Sequence, residues 1–166
     1  MLSFIWAEDK NHGIAKNGNI PWHNKNDMSN FKKLTQSHIV VMGINTFKSL
    51  NNDNGLNNRV NIVITHSPKD YQSNENVKFI DENRLDKLIK LWHKTHIEVF
   101  IIGGPSIFKL INNKVHPKYL YRTIIDDDYQ CDNFMINDIN YQEYHKINEE
   151  KLDDKTTFIK YERNKQ

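Results

Sequence analysis

Short apolar runs alternate with amphipathic stretches along the first two-thirds of the chain. Continuous apolar runs of this length are typical of strands that are buried on both faces of a parallel sheet. The runs that predict such strands cover residues 2–7, 38–42, 59–65, 77–80 and 97–102. Three more strands are expected at residues 118–125, 143–147 and 156–162, and the last alternates like a half-exposed strand that pairs at a sheet edge.

Stretches whose apolar residues have helical spacing lie between these runs. Residues 83–94 place their apolar side chains on one face, and shorter helices are predicted after Asn24 or Asn26 and over residues 44–50 and 106–111. The pattern predicts an α/β fold with a mostly parallel central sheet of about eight strands, about four flanking helices and an antiparallel C-terminal hairpin. The length fits a single domain over residues 1–166.

The stretch from Gly13 to Phe31 combines a polar, glycine-bearing loop with the start of a helix. Asp27 lies in phase with Phe31 and Leu34, so a carboxylate shares a helical stripe with two apolar side chains. Burial of a carboxylate is costly, which favours a functional role. A first-turn Asp also stabilises a helix through the helix dipole, and spacing alone leaves both interpretations open.

Composition narrows the function classes. The net charge is +2 and no long basic block occurs, which argues against nonspecific binding to nucleic acid. A single cysteine excludes an internal disulfide and suits a reducing compartment. The eight histidines lack metal-ligand spacing, and the apolar start is too short for a signal peptide. We expect a soluble cytoplasmic monomer without a metal or a membrane partner.

Two of the predicted strands deliver a glycine directly into a helix. Gly43 precedes residues 44–50, and Gly103-Gly104-Pro105 precedes residues 106–111. Ligands of such sheets bind at the carboxyl ends of strands, where free N–H groups of a helix accept a pyrophosphate. Each turn is also compatible with an ordinary strand–helix connection, and the G-x-G-x-x-G spacing is absent.

In their order and spacing, these segments resemble dihydrofolate reductases over essentially the whole chain. The resemblance implies reduction of 7,8-dihydrofolate to 5,6,7,8-tetrahydrofolate with NADPH as hydride donor. It also implies binding of diaminopyrimidine or pteridine antifolates. The positions that carry it are Ile5, Ala7, residues 13–22 with Ile20-Pro21-Trp22, Asp27, Phe31, Thr35, Met42, Gly43, Thr46, Ser49, Leu56, Arg59, Ile102, Gly103, Gly104, Thr123 and Asp132.

The resemblance also implies roles for individual residues. Asp27 would promote protonation of the pterin, supported by Trp22 and Thr123, and Arg59 would hold the α-carboxylate of the glutamate tail. The residues implied in substrate binding are Ile5, Trp6, Ala7, Asp27, Met28, Phe31, Lys32, Leu50, Leu56, Arg59, Ile102 and Thr123. Those implied in cofactor binding are Ala7, Ile14, Asn17, Gly18, Asn19, Ile20, Gly43, Ile44, Asn45, Thr46, Thr65, His66, Ser67, Ile102, Gly103, Gly104, Pro105, Ser106, Ile107 and Phe108.

Residues 13–22 would form a lid over the nicotinamide, helped by Asp132, and Gly103-Gly104 would carry a cis peptide. Relatives often place basic residues at the positions of Ile44 and Ser106 to bind the 2′-phosphate, so the preference for NADPH over NADH stays open. The candidates for compensation are Thr46, Lys48, Thr65, His66 and Lys69. Two alternatives are a related pyrimidine reductase of riboflavin synthesis and an inactive nucleotide-binding relative.

Overall fold

One eight-stranded sheet runs through the computed structural model, which describes residues 1–165. Gln166, the last residue of the predicted domain 1–166, lies outside the described residues. In spatial order the strands are β5 (Val77–Ile80), β4 (Val60–Ile64), β3 (Ile39–Gly43), β6 (Val99–Gly103), β1 (Leu2–Asp9), β7 (Tyr119–Ile125), β10 (Thr156–Arg163) and β9 (Tyr144–Asp153). A second, small sheet pairs β2 (Gly13–Ala15) with β8 (Asn133–Phe134).

The strand directions confirm the predicted fold class. All neighbours from β5 across to β7 are parallel, whereas β10 runs antiparallel to both β7 and β9. β10 therefore pairs with the edge strand β9 and is not itself at the edge. β9 is twice as long as the predicted strand 143–147, because its charged second half also pairs with β10.

Within residues 1–165, four α-helices pack on this sheet: α1 (Lys25–Thr35), α2 (Ile44–Ser49), α3 (Glu82–His93) and α4 (Pro105–Asn112). Two 3₁₀ turns cover Pro68–Asp70 and Tyr141–Glu143. The cap of α1 is Asn24 and not Asn26, since the Asn24 side chain accepts the backbone N–H of Asp27 at 2.9 Å. In the described part of the chain, no helix has the length and apolar character that a membrane crossing requires.

The two faces of the sheet bury separate apolar clusters. One face carries α3 and α4, whose Leu85, Ile89 and Ile111 are buried there. The other face carries α1 and α2, with Phe31 and Phe47 packed against the strands. Successive side chains of β1 point to opposite faces, so this strand contributes to both clusters.

The end of β1 differs from the prediction. The apolar run ends at residue 7, but the strand continues through Glu8 and Asp9, and both side chains are buried. Glu8 forms a two-pronged ion pair with Arg122 of β7, with Oε1–Nε at 2.7 Å and Oε2–Nη2 at 3.2 Å. Burial favours the protonated form, yet the hydrogen bonds from Arg122 and His12 outweigh it and lower the pKa of Glu8.

Candidate active site

Asp27 lies in the first turn of α1, partly buried. Burial raises the pKa of its carboxyl to about 6, and the indole N–H of Trp22 opposes this shift. Within residues 1–165 this buried N–H has no hydrogen-bond partner that meets normal geometry, although it lies near the carboxylate. The carboxylate is therefore poorly compensated by the protein, as expected where a ligand supplies the missing donors.

Apolar side chains that the protein leaves partly uncovered occupy the same face of the sheet. They pack against the buried cluster that contains Ile5, yet none of them is fully enclosed. This set comprises Phe31, Leu34, Leu50, Leu56 and Ile102. Met28 and Ile20 are more exposed still, at 56% and 65%. Incompletely covered apolar surface of this kind suits a flat, mostly apolar ligand.

Arg59 has a partly buried guanidinium that the protein leaves without a carboxylate. Its Nε donates to the Thr35 hydroxyl at 3.0 Å and its Nη1 to the Asn57 carbonyl at 3.1 Å. Its Cζ lies 5.8 Å from the centre of the Phe31 ring. Burial lowers the pKa of Arg59, and among residues 1–165 no acidic side chain forms an ion pair with it. This geometry suits a carboxylate from a ligand.

The two glycine-bearing turns meet at the carboxyl edge of the sheet. A methyl group added at Gly43 would lie 2.9 Å from Ile107, and one at Gly104 would lie 3.8 Å from the Thr46 hydroxyl. Neither α2 nor α4 has a side-chain cap or an acidic residue in its first turn, whereas α1 and α3 have both. The N–H groups at these two helix starts fit the pyrophosphate of a dinucleotide such as NADPH. The predicted cis peptide joins Gly103 and Gly104.

A cavity of about 470 Å³ follows the end of β4. It is lined by His66, Ser67, Pro68, Lys69, Asp70 and Asp81. Two of the five compensation candidates for a phosphate, His66 and Lys69, therefore share this cavity. Of two other candidates, the Thr65 hydroxyl accepts the N–H of Ser67 at 3.2 Å, and the Lys48 ammonium lies 5.9 Å from the centre of the Tyr71 ring.

The loop between β2 and α1 is folded back as a hairpin. Asn17 and Gly18 both have positive φ, and Lys16 and Asn19 exchange backbone hydrogen bonds of 2.8 and 3.0 Å across them. An Asn-Gly pair favours this turn because both residues tolerate the left-handed conformation. The Asp132 carboxylate accepts the N–H of Asn17, which joins the predicted lid to the segment after β7.

Four predicted site residues lie on β1 and β7, namely Ile5, Trp6, Ala7 and Thr123. Ala7 and Thr123 are register partners on neighbouring strands. No direct hydrogen bond joins Thr123 to Asp27 within residues 1–165. The side chain of Trp6 packs with the α3–α4 cluster and donates to Glu8 at 2.9 Å, so only its backbone can face the side of the sheet on which Asp27 lies.

The other predicted residues differ in burial. Gly43, Gly103, Thr65, Ile107 and Phe108 are buried, and Ile14, Ile44, Thr46, Gly104 and Pro105 are half-buried. Lys32, Asn45, Ser106 and the tip of the lid are exposed.

Sequence reasoning missed two residues that shape this region. Tyr129 packs edge-on against Trp22, with ring centres 5.3 Å apart, and no sequence pattern links it to the lid. Asn61 is fully buried in β4 and holds the loop that precedes this strand. The sequence does contain a signal for Asn61, because a lone amide inside an apolar strand needs hydrogen-bond partners.

A family model, two curated relatives and a solved structure point to one family. A family model described as dihydrofolate reductase matches residues 1–164. Dihydrofolate reductase of Ureaplasma parvum serovar 3 is 34% identical, over 84% of this chain and 85% of its own. That of Lactococcus lactis subsp. lactis is 29% identical, over 100% and 99%. The solved dihydrofolate reductase from Enterococcus faecalis, complexed with NADP(H) and RAB-propyl, superposes with a TM-score of 0.82 at 31% identity, over 99% and 97%.

Proposed function

Because the chain belongs to the dihydrofolate reductase family and reduces 7,8-dihydrofolate to tetrahydrofolate with NADPH, we propose that Asp27 is the residue that promotes protonation of the pterin. The observation that carries this proposal is the desolvated carboxylate, whose pKa is raised to about 6 on a face of partly uncovered apolar side chains. A ligand with N–H donors would satisfy it, and the negative charge would favour the protonated ring.

The substrate ring would lie against the apolar face described above. Phe31, Leu50 and Ile102 would provide its walls, while Met28 and Ile20 would lose their exposure on binding. Trp22 would support Asp27 from the lid side, and Thr123 would act through water because it makes no direct bond to Asp27 within residues 1–165. Arg59, already oriented by Thr35, would bind the glutamate α-carboxylate with its free N–H groups.

NADPH supplies the hydride when it is bound. The starts of α2 and α4 would hold its pyrophosphate through backbone N–H groups, and Thr46 and Ser106 would add hydroxyl donors. The two turns approach each other closely. Gly43 and Gly104 would leave room for the cofactor between them because neither residue has a side chain. The lid residues Ile14 to Ile20 would exclude water from the reacting carbon.

The 2′-phosphate would be bound by the cavity after β4. His66 and Lys69 line this cavity, whereas Ile44 packs against the apolar cluster and Ser106 is neutral. Asp70 and Asp81 share the cavity and weaken its positive character. We expect a preference for NADPH that depends chiefly on Lys69, since one charge-assisted hydrogen bond contributes about 1.5–3 kcal/mol.

The same proposal covers domain organisation and location. A single sheet that spans residues 2–163 supports one domain over the whole chain. The edge strand β9 carries His145, Lys146, Glu149, Glu150 and Lys151, and charged edges discourage strand pairing between molecules, which supports a monomer. The single cysteine supports a reducing, cytoplasmic setting, and the small net charge of +2 without a long basic block argues against a nucleic-acid partner.

A direct absorbance assay of NADPH oxidation tests the proposed reaction. Purified full-length protein should consume NADPH only when dihydrofolate is present, and the same assay with NADH measures the cofactor preference. The pyrimidine substrate of the related riboflavin-pathway reductase serves as the negative control. Turnover of that pyrimidine but not of dihydrofolate would contradict the proposal.

A further inference from the structure

Asn61 has the most extensively bonded buried side chain near the substrate side of the sheet. Its Oδ1 accepts the N–H of Leu56 at 2.9 Å, and its Nδ2 donates to the carbonyl of Leu56 at 3.1 Å. The same Nδ2 lies 3.3 Å from the carbonyl of Arg59 and 3.2 Å from that of Asn76. The residue is completely buried. A buried amide with all of its polar atoms satisfied fixes the backbone that it bonds.

The backbone fixed in this way belongs to the loop between α2 and β4. Gly55 packs directly on the amide, because a methyl group there would lie 2.5 Å from Asn61 Oδ1. Gly55 also has a φ of +65°, a conformation that other residues adopt at a cost. The loop then presents Leu56 and, two residues beyond Asn57, Arg59. Asn61 therefore bonds both residues that flank the expected position of the substrate tail.

We propose that Asn61 is a positioning residue for recognition of the glutamate tail. It fixes the backbone positions of Leu56 and Arg59 without touching the ligand. The inference rests on the proposed role of Arg59. Thr35 orients the side chain of Arg59, and Asn61 bonds its backbone. Both the backbone and the guanidinium end of Arg59 are therefore fixed. Displacement of the loop would move the guanidinium away from a carboxylate while leaving Asp27, on α1, in place.

Two substitutions perturb this contact from opposite sides. Asn61→Asp keeps the acceptor for Leu56 but sets a carboxylate oxygen against three carbonyl oxygens. Gly55→Ala leaves β4 intact and forces the loop away from Asn61. Asn54→Asp repeats the first chemical change at an exposed position of the same loop and serves as the matched control. Gly55→Ala keeps the proposal testable if Asn61→Asp does not fold.

The measurement is the dissociation constant of two ligands of the NADPH complex. Methotrexate ends in a glutamate, whereas 2,4-diamino-6,7-dimethylpteridine carries the same ring without a tail. We expect Asn61→Asp and Gly55→Ala to weaken methotrexate binding roughly tenfold, and to leave binding of the tail-less ligand within about twofold. Asn54→Asp should change neither.

Equal losses for both ligands, or none for either, would overturn the proposal, since the first marks a general structural defect and the second no role. Arg59→Ala tests the proposed role of Arg59 separately from the positioning role of Asn61. If Arg59→Ala is selective for the tailed ligand and the Asn61 and Gly55 variants are not, only the role of Asn61 fails. If Arg59→Ala is itself unselective, the proposed role of Arg59 fails and the positioning role falls with it.

Discussion

The carboxylate of Asp132 receives the backbone N–H of Asn17 at 3.0 Å, although 115 residues separate the two in sequence. The backbone N–H of Asp132 in turn donates to the carbonyl of Ala15 at 3.1 Å. The side chain of Asp132 thus bonds the tip of the lid, and its main chain bonds the end of β2. Residues 16–20 at the tip are exposed, so the Asp132 carboxylate adds a restraint there to the pairing of β2 with β8.

Asp132→Ala should release the lid. The lost hydrogen bond from the Asn17 N–H to a charged group is worth about 1.5–3 kcal/mol, so we expect NADPH to bind about tenfold more weakly and hydride transfer to slow. Stopped-flow fluorescence measures both quantities. Asp138→Ala removes an exposed carboxylate from the same segment and should behave like the unmodified protein. Equal behaviour of the two variants would contradict the restraint.

Asp27 should destabilise the free protein at neutral pH. Its folded-state pKa of about 6 lies above the ordinary value of an unfolded Asp, so the native state binds more protons between these two pH values. The free energy of unfolding therefore falls as the pH rises from about 4 to about 6, and the deficit persists above that range. Asp27→Asn should raise the free energy of unfolding by up to about 3 kcal/mol at pH 8 and by little below pH ~4.

Urea unfolding at several pH values measures this difference. A constant gain at all pH values would indicate improved packing instead of relief of a buried charge. A loss of stability at pH 8 would show that the carboxylate is favourably compensated in the free protein, which contradicts the assignment of Asp27 to a ligand-facing position.

The ion pair between Glu8 and Arg122 should dominate the stability of the other sheet face. Glu8 is 1% exposed, so Arg122→Ala leaves a buried carboxylate without its main partner and should cost about 3–5 kcal/mol. The exposed pair of Lys146 and Glu149, 3.0 Å apart, is the control, and Lys146→Ala should cost less than about 1 kcal/mol. Similar losses for both variants in urea unfolding would refute the distinction.

The sheet and its directions were predictable because apolar runs report burial on both faces. β2 and β8 were missed since strands of three and two residues carry no period, and their partners are more than a hundred residues apart. The second half of β9 was missed because its side chains are charged and exposed, which hides an edge strand. The apolar run of β1 ends before Glu8, so the sequence does not show that Glu8 belongs to the strand, although its partner Arg122 lies inside another apolar run.

Part of the candidate site was likewise predictable from the sequence, and part was not. Asp27 could be singled out because a carboxylate on an apolar stripe is unusual, and the glycine turns because strand ends collect ligands. The hydrogen bonds of Asn61, the packing of Tyr129 on Trp22 and the exchange between Asp132 and the lid depend on contacts between distant segments. No local pattern encodes such contacts.

Lys69 should set the preference for NADPH over NADH. Lys69→Gln removes a cation from the cavity after β4, and we expect the dissociation constant of NADPH to rise about tenfold while that of NADH stays unchanged. Titration by nicotinamide fluorescence measures both. Lys87→Gln, an exposed neutralisation on α3, is the control for net charge. Equal weakening of both cofactors would place the phosphate elsewhere.

The most direct test is the rate of hydride transfer in a single turnover, measured for the unmodified protein and for Asp27→Asn from pH 5 to 9. We expect the variant to be at least about 100-fold slower at pH 7, because the pterin then lacks the negative charge that favours its protonation. The gap should narrow at low pH, where solvent protonates the ring. Equal rates at pH 7, with substrate bound in both proteins, would contradict the role assigned to Asp27.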